Sequence, residues 1–572
     1  MFLKIFKVIN PLFEEKREVF YLLNIHAKNI KKFYADRLIF EISDLKIYSG
    51  EKIGIVGING AGKTTLLDML SGRIVPDEGS VKVYTNISYI RQFGFQHKPI
   101  NSRVSKEIGV VSEIHEALSG GEKTKLKIAR ELSEDSSILF ADEPTTNLDM
   151  SSIKIIEEKL MNYKGTLLLI SHDRELLDKV CTSIIEIENG KLNFYNGNYY
   201  EYKRQKEMER DRQFFEYEQY VSEKKRLKDS LIEKNSHAKS IRKTPKRMGN
   251  SEARIHKRES NEIQEKLHKS AKSIETRIEK LEKKEKPKDI DSMKIEFNSV
   301  GVPVSKVLVR GTDISLGFGD RILFDNSSFE IANRARTALI GNNGSGKTTL
   351  IKMILAGSNK INIARGTNIG YFSQELDILE PDKTILENIM RDSIQTESVA
   401  RTILARLLFK RDDVFKNCSI LSGGEKVKAS FAKLLVSNTN FLILDEPTNY
   451  LDLTSIEALS SVLSEYNGAL LFISHDRRFI DSIAEKILLI EDSKIKAFDG
   501  NLSEYNQFLL DTKNSIKSTD EQELIKIEHR ISFLIGKLST ITADHPEYDI
   551  IDKEFKDLIK QKIFLKNSRM NQ

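Results

Sequence analysis

Six short motifs occur twice in this chain of 572 residues, in the same order both times. "GINGAGKTTLL" at Gly57 returns as "GNNGSGKTTLI" at Gly341, 284 residues on. "NISYIRQ", ending at Gln92, returns as "NIGYFSQ", ending at Gln374, at an offset of 282. "LSGGEKTKLKIAR", "ILFADEPTTNLD", "ISHDR" and "GNYYEY" all have counterparts at 303. A period this long is a duplicated domain, not a solenoid of short repeats. The chain therefore folds as two like halves. The jump in offset locates a difference between them. Only 27 positions separate Gln92 from Ser119, whereas 48 separate Gln374 from Ser422. The first half is shorter there by two ordinary helices.

Each half carries G-x-x-x-x-G-K-[ST] between an apolar strand-like run and a helical one. In that setting the motif is a phosphate-binding loop rather than an ordinary glycine-rich turn. Gly57, Gly60 and Gly62 in the first copy, with Asn59, let backbone N–H groups converge on phosphate oxygens. Gly341, Gly344, Gly346 and Asn343 do so in the second. Lys63 and Lys347 reach the β- and γ-phosphates. Thr64 and Thr348 offer hydroxyls to Mg²⁺, beside Thr65 and Thr349 at the helix start. The strands "ILFAD" and "FLILD" end in Asp142 and Asp445, placed for the Mg²⁺ shell. Glu143 and Glu446 follow, placed to polarise water as general bases. Alone, such an acidic pair reads better as a helix cap. Behind a phosphate loop at this distance it reads as catalytic. His172 and His475 follow apolar strands and are assigned to the γ-phosphate and its water. Gln92 and Gln374 couple the metal to the neighbouring helical region. Ser119, Gly120 and Gly121, like Ser422, Gly423 and Gly424, open a helix whose start is a second anion site. A second such start per half is intelligible if it serves the other half's nucleotide.

Composition narrows the setting. Apolar residues make up 39% and charged ones 30%. No run of 18 apolar residues occurs, so no helix of the sequence is suited to span a bilayer. The two cysteines, Cys181 and Cys418, lie far apart without a neighbouring Cys or His cluster, so they read as buried apolar residues in a reducing compartment. The opening 21 residues read poorly as a signal peptide. They are an extension without strong pattern or an over-assigned start.

Taken in order, the P-loop, glutamine, LSGGE signature, Asp-Glu strand, D-loop aspartates (Asp149 and Asp452) and histidine resemble an ATP-binding-cassette ATPase from about residue 24 to 510. The resemblance implies an α/β fold: two tandem P-loop ATP-binding-cassette domains joined by a long α-helical hairpin linker, with a C-terminal helical extension. It implies boundaries at 1–23, 24–202, 203–291, 292–512 and 513–572. It also implies head-to-tail pairing of the cassettes within a monomer. One ATP would then lie among Lys63, Asp142, Glu143, Ser422 and Gly424, and another among Lys347, Asp445, Glu446, Ser119 and Gly121. Tyr34 and Phe318, each before a basic dipeptide region, resemble the aromatic that stacks on adenine. Thr146 stands where the family's D-loop commonly has asparagine, which implies altered signalling at one site.

Two fused cassettes and a charged linker resemble the ABC-F family. The short interval after Gln92 leaves no room for the arm of its housekeeping members. The chain is thereby similar to the Vga-like antibiotic-resistance group. That resemblance implies a cytoplasmic ATPase using ATP and Mg²⁺, with no membrane partner, acting on the bacterial 70S ribosome: 23S rRNA, large-subunit proteins and P-site tRNA. It implies binding at the E site when ATP-bound, protection against lincosamides, pleuromutilins and streptogramin A, and release on hydrolysis. A housekeeping factor for stalled ribosomes, an exporter ATPase and a DNA-acting ATPase are the rivals.

The linker 203–291 holds 27 Lys/Arg against 18 Asp/Glu. Its net charge of +9 exceeds the +6 of the whole chain. Residues 237–258 have eight basic side chains and one acidic. Phe214, Tyr217, Val221, Leu227 and Leu231 form one apolar stripe. Ile263, Leu267, Ile274, Ile278 and Leu281 form another. Pro245 and Gly249 interrupt the pattern, predicting an antiparallel helical hairpin with a basic tip. Its first helix, some 35 residues, would be about 50 Å long. Arg242, Lys243, Lys246, Arg247, Arg254 and Lys257 are the candidates for rRNA or tRNA contact, with Met248 toward the drug pocket. After Lys513, Leu524, Ile527, Ile531, Leu534, Leu538 and Ile541 predict an amphipathic helix. A second stripe from Ile551 through Phe555, Leu558 and Leu565 completes a hairpin. Ribosome contact and packing on a cassette are equally open for it.

Overall fold

The computed structural model describes residues 22–92, 94, 100–109, 120–240, 250–286, 303–319, 321–373, 378–512, 527–528, 530–532, 534–535 and 548–570, with backbone only for 250–260, 548–551 and 564–570. Two compact units result. One comprises residues 1–298, 375–438 and 448–466; the other comprises 299–374, 439–447 and 467–572. The expected second cassette, 292–512, is thus divided between them, its helical region grouping with the first half.

In the first half, β1 (Leu23–Tyr34) and β2 (Arg37–Tyr48) form an antiparallel hairpin. β3 (Lys52–Val56) leads into α1 (Lys63–Leu70). β4 (Glu78–Val83), β5 (Ile87–Ile90), α2 (Ser102–Ile108), α3 (Gly120–Leu132), β6 (Ile138–Asp142), α4 (Met150–Met161), β7 (Thr166–Ile170), α5 (Arg174–Val180), β8 (Ser183–Glu188) and β9 (Lys191–Asn196) follow. Nine strands among the described residues make one sheet, ordered β4-β1-β2-β9-β8-β3-β7-β6-β5. β3, β7, β6 and β5 run parallel, and β6 and β7 are buried along their whole length. This is why they read as continuous apolar runs rather than alternating ones. A Cβ on Gly54 would meet Ile184 Cδ1 of the neighbouring strand β8 at 2.7 Å and Leu177 Cδ2 of α5 at 3.0 Å, so the covering helix packs on this strand where no side chain intervenes.

The two linker helices are α6 (Tyr199–Ser240) and α7 (Asn250–Lys280). α6 has 42 residues, about 63 Å at ~1.5 Å per residue, longer than expected. It starts early because Asn198 caps it: Asn198 Oδ1 accepts from Glu201 N–H at 3.0 Å, and Glu201 Oε2 accepts from Asn198 N–H at 3.2 Å. Asn501 and Glu504 repeat this box. The twice-written Gly-Asn-x-x-Glu is therefore a helix start.

Leu227 and Ala238 of α6 are buried, as are Ala271 and Ile274 of α7. Leu267, Ala271, Ile274, Ile278 and Leu281 alternate in fours and threes, the spacing of a two-helix seam. Lys234 donates to Ser270 Oγ, and Lys284 pairs with Glu216 at 3.4 Å, fixing the antiparallel register. Ile263 and Val221, expected in the stripes, are exposed instead. Both fall off the seam's repeat: Ile263 lies eight residues before Ala271, where the seam needs seven. Arg254 and Lys257 lie within α7, while Arg242, Lys243, Lys246, Arg247 and Met248 lie outside the described residues. Leu227→Ala is expected to weaken the seam by about 2 kcal/mol. Hydrogen exchange at the α6 and α7 amides would speed up roughly 30-fold if they open together, with cassette amides unchanged.

The second half repeats the plan with β10 (Val307–Phe318), β11 (Arg321–Ala332), β12 (Arg336–Gly341), α8 (Lys347–Leu355), β13 (Ile361–Ile363) and β14 (Ile369–Phe372). α9 (Ile385–Arg391), α10 (Glu397–Arg406) and α11 (Gly423–Val436) precede β15 (Phe441–Asp445). α12 (Leu453–Ser464), β16 (Ala469–Ile473), α13 (Arg477–Ile483), β17 (Lys486–Glu491) and β18 (Lys494–Asp499) complete it. Its central sheet is ordered β14-β15-β16-β12-β17-β18. α10 and two short 3₁₀ turns occupy the extra interval before Ser422. α14 (Tyr548–Met570) pairs with helical residues among 527–535. Arg530 Nε donates to Glu554 at 2.8 Å, Lys562 meets Glu528 at 2.9 Å, and Ile527 and Leu534 are buried. Of the expected stripe, Leu524, Leu538 and Ile541 lie outside the described residues.

Candidate nucleotide-binding site

The strand order lines up the candidate residues. Neighbouring strands β3, β7, β6 and β5 end, respectively, at the P-loop, His172, Asp142 with Glu143, and Gln92. The second sheet presents the P-loop, His475 and Asp445 with Glu446 on β12, β16 and β15, with Gln374 just outside the described residues. Parallel sheets bind ligands at this carboxyl edge.

Gly62 and Gly346 cap α1 and α8 with φ of 99° and 104°, a region an L side chain resists. A Cβ on Gly62 would also lie 2.5 Å from Ile39 Cγ2. Lys63 Nζ donates to the carbonyls of Gly57 (2.7 Å) and Ile58 (3.2 Å). Lys347 does the same to Gly341 and Asn342. Each loop thus arches around its own ammonium. Thr64 Oγ1 donates to Asp142 Oδ2 at 2.8 Å, and Thr348 bonds Asp445 likewise. Hydroxyl plus carboxylate is an all-oxygen set suited to Mg²⁺, which keeps several waters and phosphate oxygens besides its protein ligands. Gln92 is exposed, and its carbonyl accepts from Lys127 at 3.1 Å.

Glu143 and Glu446 share a conformation the sequence does not announce: φ is 51° in one and 52° in the other. Non-glycine residues held there carry strain, which collects at functional sites. Their N–H groups donate to Ile170 O and Ile473 O, anchoring the backbone to the adjacent strand. His172 N–H donates to Glu143 Oε2 at 3.2 Å, and His172 Nε2 lies 3.3 Å from Oε1. His475 Nε2 lies 3.2 Å from Glu446 Oε1. Burial, reinforced by the adjacent aspartate, pushes both glutamates up to about 8. Burial, with Lys63 adding to it, lowers His172 to about 4, so this imidazole is neutral. Burial also lowers Lys63 and raises Asp142 and Asp445. These are groups of both signs in a dry pocket, whose charges are compensated when a metal nucleotide brings its own.

The first unit also assembles the expected partner segments. Asn59 N–H donates to Asp452 Oδ2 at 2.8 Å, and Asn59 Nδ2 donates to the Tyr450 carbonyl at 2.7 Å. A Cβ on Gly424 would lie 2.8 Å from that carbonyl and 3.4 Å from Asn59 Nδ2. P-loop, D-loop and signature therefore meet around Asn59, a meeting only a glycine permits. Burial raises the Asp452 carboxyl, but hydrogen bonds from Asn59 and Ser455 outweigh this and leave it below its ordinary value. Ser422 caps α11 in a capping box with Glu425 (Ser422 N–H to Oε2, 2.9 Å), which explains the glutamate of LSGGE. The S-x-x-E spacing carried that signal in the sequence. In the first copy, Gly120 and Gly121 open α3, and Ser119 lies outside the described residues. Asp149 caps α4 through Ser152 as Asp452 caps α12. Thr146 offers its carbonyl to Thr124 Oγ1 at 3.2 Å. Tyr34 and Phe318 end their hairpins 51% and 64% exposed, available for stacking.

Comparison with known proteins decides the family. The model described as "ABC transporter" matches residues 40–146 and 324–449. The ribosome protection protein VmlR of Bacillus subtilis is 30% identical, over 93% of this chain and 96% of that one. This chain belongs to the ABC-F family. Another relative, the erythromycin resistance ATP-binding protein MsrA of Staphylococcus epidermidis, is 34% identical over 81% of this chain and 96% of its own. The fold of the ABC-F protein is matched by a solved structure of RNase-L Inhibitor, with a TM-score of 0.56 at 18% identity, covering 85% of this chain and 93% of that one. This ABC-F protein is an ATPase that binds ATP at its cassettes. No helix among the described residues is long and apolar enough to cross a membrane.

Proposed function

We propose that this ABC-F ATPase acts in the cytoplasm on the bacterial 70S ribosome and frees it from antibiotics of the peptidyl transferase centre. The observation that carries the reading is the arm: two long paired helices, with the excess positive charge of residues 237–258 spanning the end of α6 and the start of α7. Basic side chains on such a lever suit a phosphate backbone at a distance from the cassettes. The two relatives, a ribosome protection protein and an erythromycin resistance protein by name, support the same direction. The division into 1–23, 24–202, 203–291, 292–512 and 513–572 is part of the proposal. So is a monomer whose cassettes pair head-to-tail on two ATP.

In this reading Lys63 and Lys347 hold phosphate, and Thr64, Asp142, Thr348 and Asp445, with Gln92 and Gln374, hold Mg²⁺. The metal would supply neutralisation of the phosphate charge. Glu143 and Glu446 accept the proton of the attacking water, oriented by His172 and His475. Closure on ATP fixes the arm in a form that docks in the E site and reaches P-site tRNA. Hydrolysis releases it.

The test is a purified translation system inhibited by a lincosamide, a pleuromutilin or a streptogramin A. Added protein with ATP is expected to restore peptide synthesis against at least one class, and Glu143→Gln with Glu446→Gln to abolish multiple-turnover rescue. Rescue of drug-free stalled ribosomes alone would favour a housekeeping factor. No effect on ribosomes, with ATPase stimulation by DNA, would overturn the reading.

A further inference from the structure

The root of the arm is fastened to the D-loop helix of the opposite cassette by one carboxylate. Glu457, on the second turn of α12, lies 2.8 Å from Lys203 Nζ near the start of α6 and 3.4 Å from Arg174 Nη1. Arg174 Nη2 also donates to the Leu453 carbonyl, at 3.0 Å, so one guanidinium grips α12 at two points. Leu453 is buried in one apolar cluster with Leu176, Tyr199 and Tyr202, which seats the helix against α5 and the arm's first turn. All of these residues belong to the first compact unit.

Each end of this contact leads somewhere. One turn before Glu457, Asp452 caps α12 with Oδ1 and holds the P-loop through Asn59 with Oδ2. Two residues before Arg174, His172 N–H donates to Glu143. Lys203 belongs to the continuous helix that runs to Ser240. A rigid helix anchored at a buried root carries a small rotation at its base to its far end. The root is well anchored: Tyr202 Oη donates to the buried Glu186 at 2.8 Å, and Lys206 Nζ lies 2.7 Å from the same carboxylate.

The contact is also one-sided. The positions related to Glu457, Arg174 and Lys203 by the 303-residue repeat are Lys154, Arg477 and Asn506, a set with no carboxylate. An acid-centred clasp is written into the sequence on the side from which the arm emerges.

We propose that Glu457 is the positioning residue that passes the state of the first nucleotide site to the arm, through Arg174 and Lys203. This rests on the reading that ATP closes the cassettes. Glu457 touches no nucleotide-binding group, so its removal separates arm position from hydrolysis.

The test uses the full chain with spin labels at Lys82→Cys on β4 and Ser236→Cys on α6. Both positions are exposed, and the native Cys181 and Cys418 are buried. In the Glu143→Gln, Glu446→Gln background, ATP is expected to shift the distance distribution. Glu457→Gln and Lys203→Gln should each reduce the equilibrium constant of that shift by roughly 2- to 30-fold. The double variant should be no worse than either single one, and Glu457→Asp should retain part of the response. With Glu143 and Glu446 intact, Glu457→Gln should hydrolyse ATP at the parental rate. A parental shift in Glu457→Gln overturns the proposal. So does a fall in hydrolysis matching the loss of shift, because Glu457 would then be building the site. If the background protein itself shows no shift with ATP, the closure reading fails and the clasp with it.

Discussion

Replacing Glu143 and Glu446 together by glutamine will lower steady-state ATP turnover by about two to four orders of magnitude, the usual contribution of a positioned general base. Glutamine has the same shape, and its amide oxygen still accepts the His172 N–H that Glu143 accepts at 3.2 Å. What it lacks is basicity. Both glutamates are buried, and burial raises them to about 8, so each carboxylate charge is costly to hold in the nucleotide-free protein. A neutral isostere removes that cost. The doubly substituted protein should melt at or above the parental temperature and retain ATP after desalting. Phosphate release and bound-nucleotide analysis check both halves of this expectation. Turnover above a tenth of the parental rate would place the base elsewhere.

Asp452→Asn will separate two jobs that one carboxylate performs. Oδ1 caps α12 by accepting from Ser455 N–H at 2.8 Å, and Oδ2 accepts Asn59 N–H of the P-loop. Asparagine supplies one oxygen. If that oxygen keeps the cap, its NH₂ faces the Asn59 N–H, donor against donor. The helix should survive while the P-loop loses a charge-assisted hydrogen bond, worth about 1.5–3 kcal/mol. Single-turnover hydrolysis at the first site should therefore fall roughly 10- to 100-fold, with a melting loss no larger than that one bond accounts for. Asp452→Ala removes the cap as well and should cost about 0.5–2 kcal/mol of stability besides. Equal melting losses in the two variants would show that the cap adds no stability and that the loss in both comes from the Asn59 bond.

These two experiments divide along the line between what could be read and what could not. The P-loops, the Asp-Glu strands and the signature were legible because phosphate binding demands glycine, lysine and hydroxyl residues at fixed spacing. Their arrangement along neighbouring strand ends followed from the parallel α/β plan. The arm was legible as a hairpin from its apolar stripes, although its seam begins beyond Ile263 and α6 starts at Asn198's cap. The left-handed backbone of Glu143 and Glu446 was not legible, because glutamate does not favour it and only the surrounding strands impose it. Nor were Arg174, Lys203 and Glu457. Ion pairs between residues 254 to 283 apart leave no local pattern, and each is an ordinary charged residue on a helix. Tyr450 escaped for a different reason: it contributes a backbone carbonyl, which no side chain encodes.

The most direct test of the account is sedimentation of the Glu143→Gln, Glu446→Gln protein with 70S ribosomes through a sucrose cushion, with ATP, with ADP and without nucleotide. A closed, ATP-holding form whose arm docks in the ribosome should pellet with the ribosomes in ATP alone. Recovery in the ribosome-free fraction in the presence of ATP would contradict it.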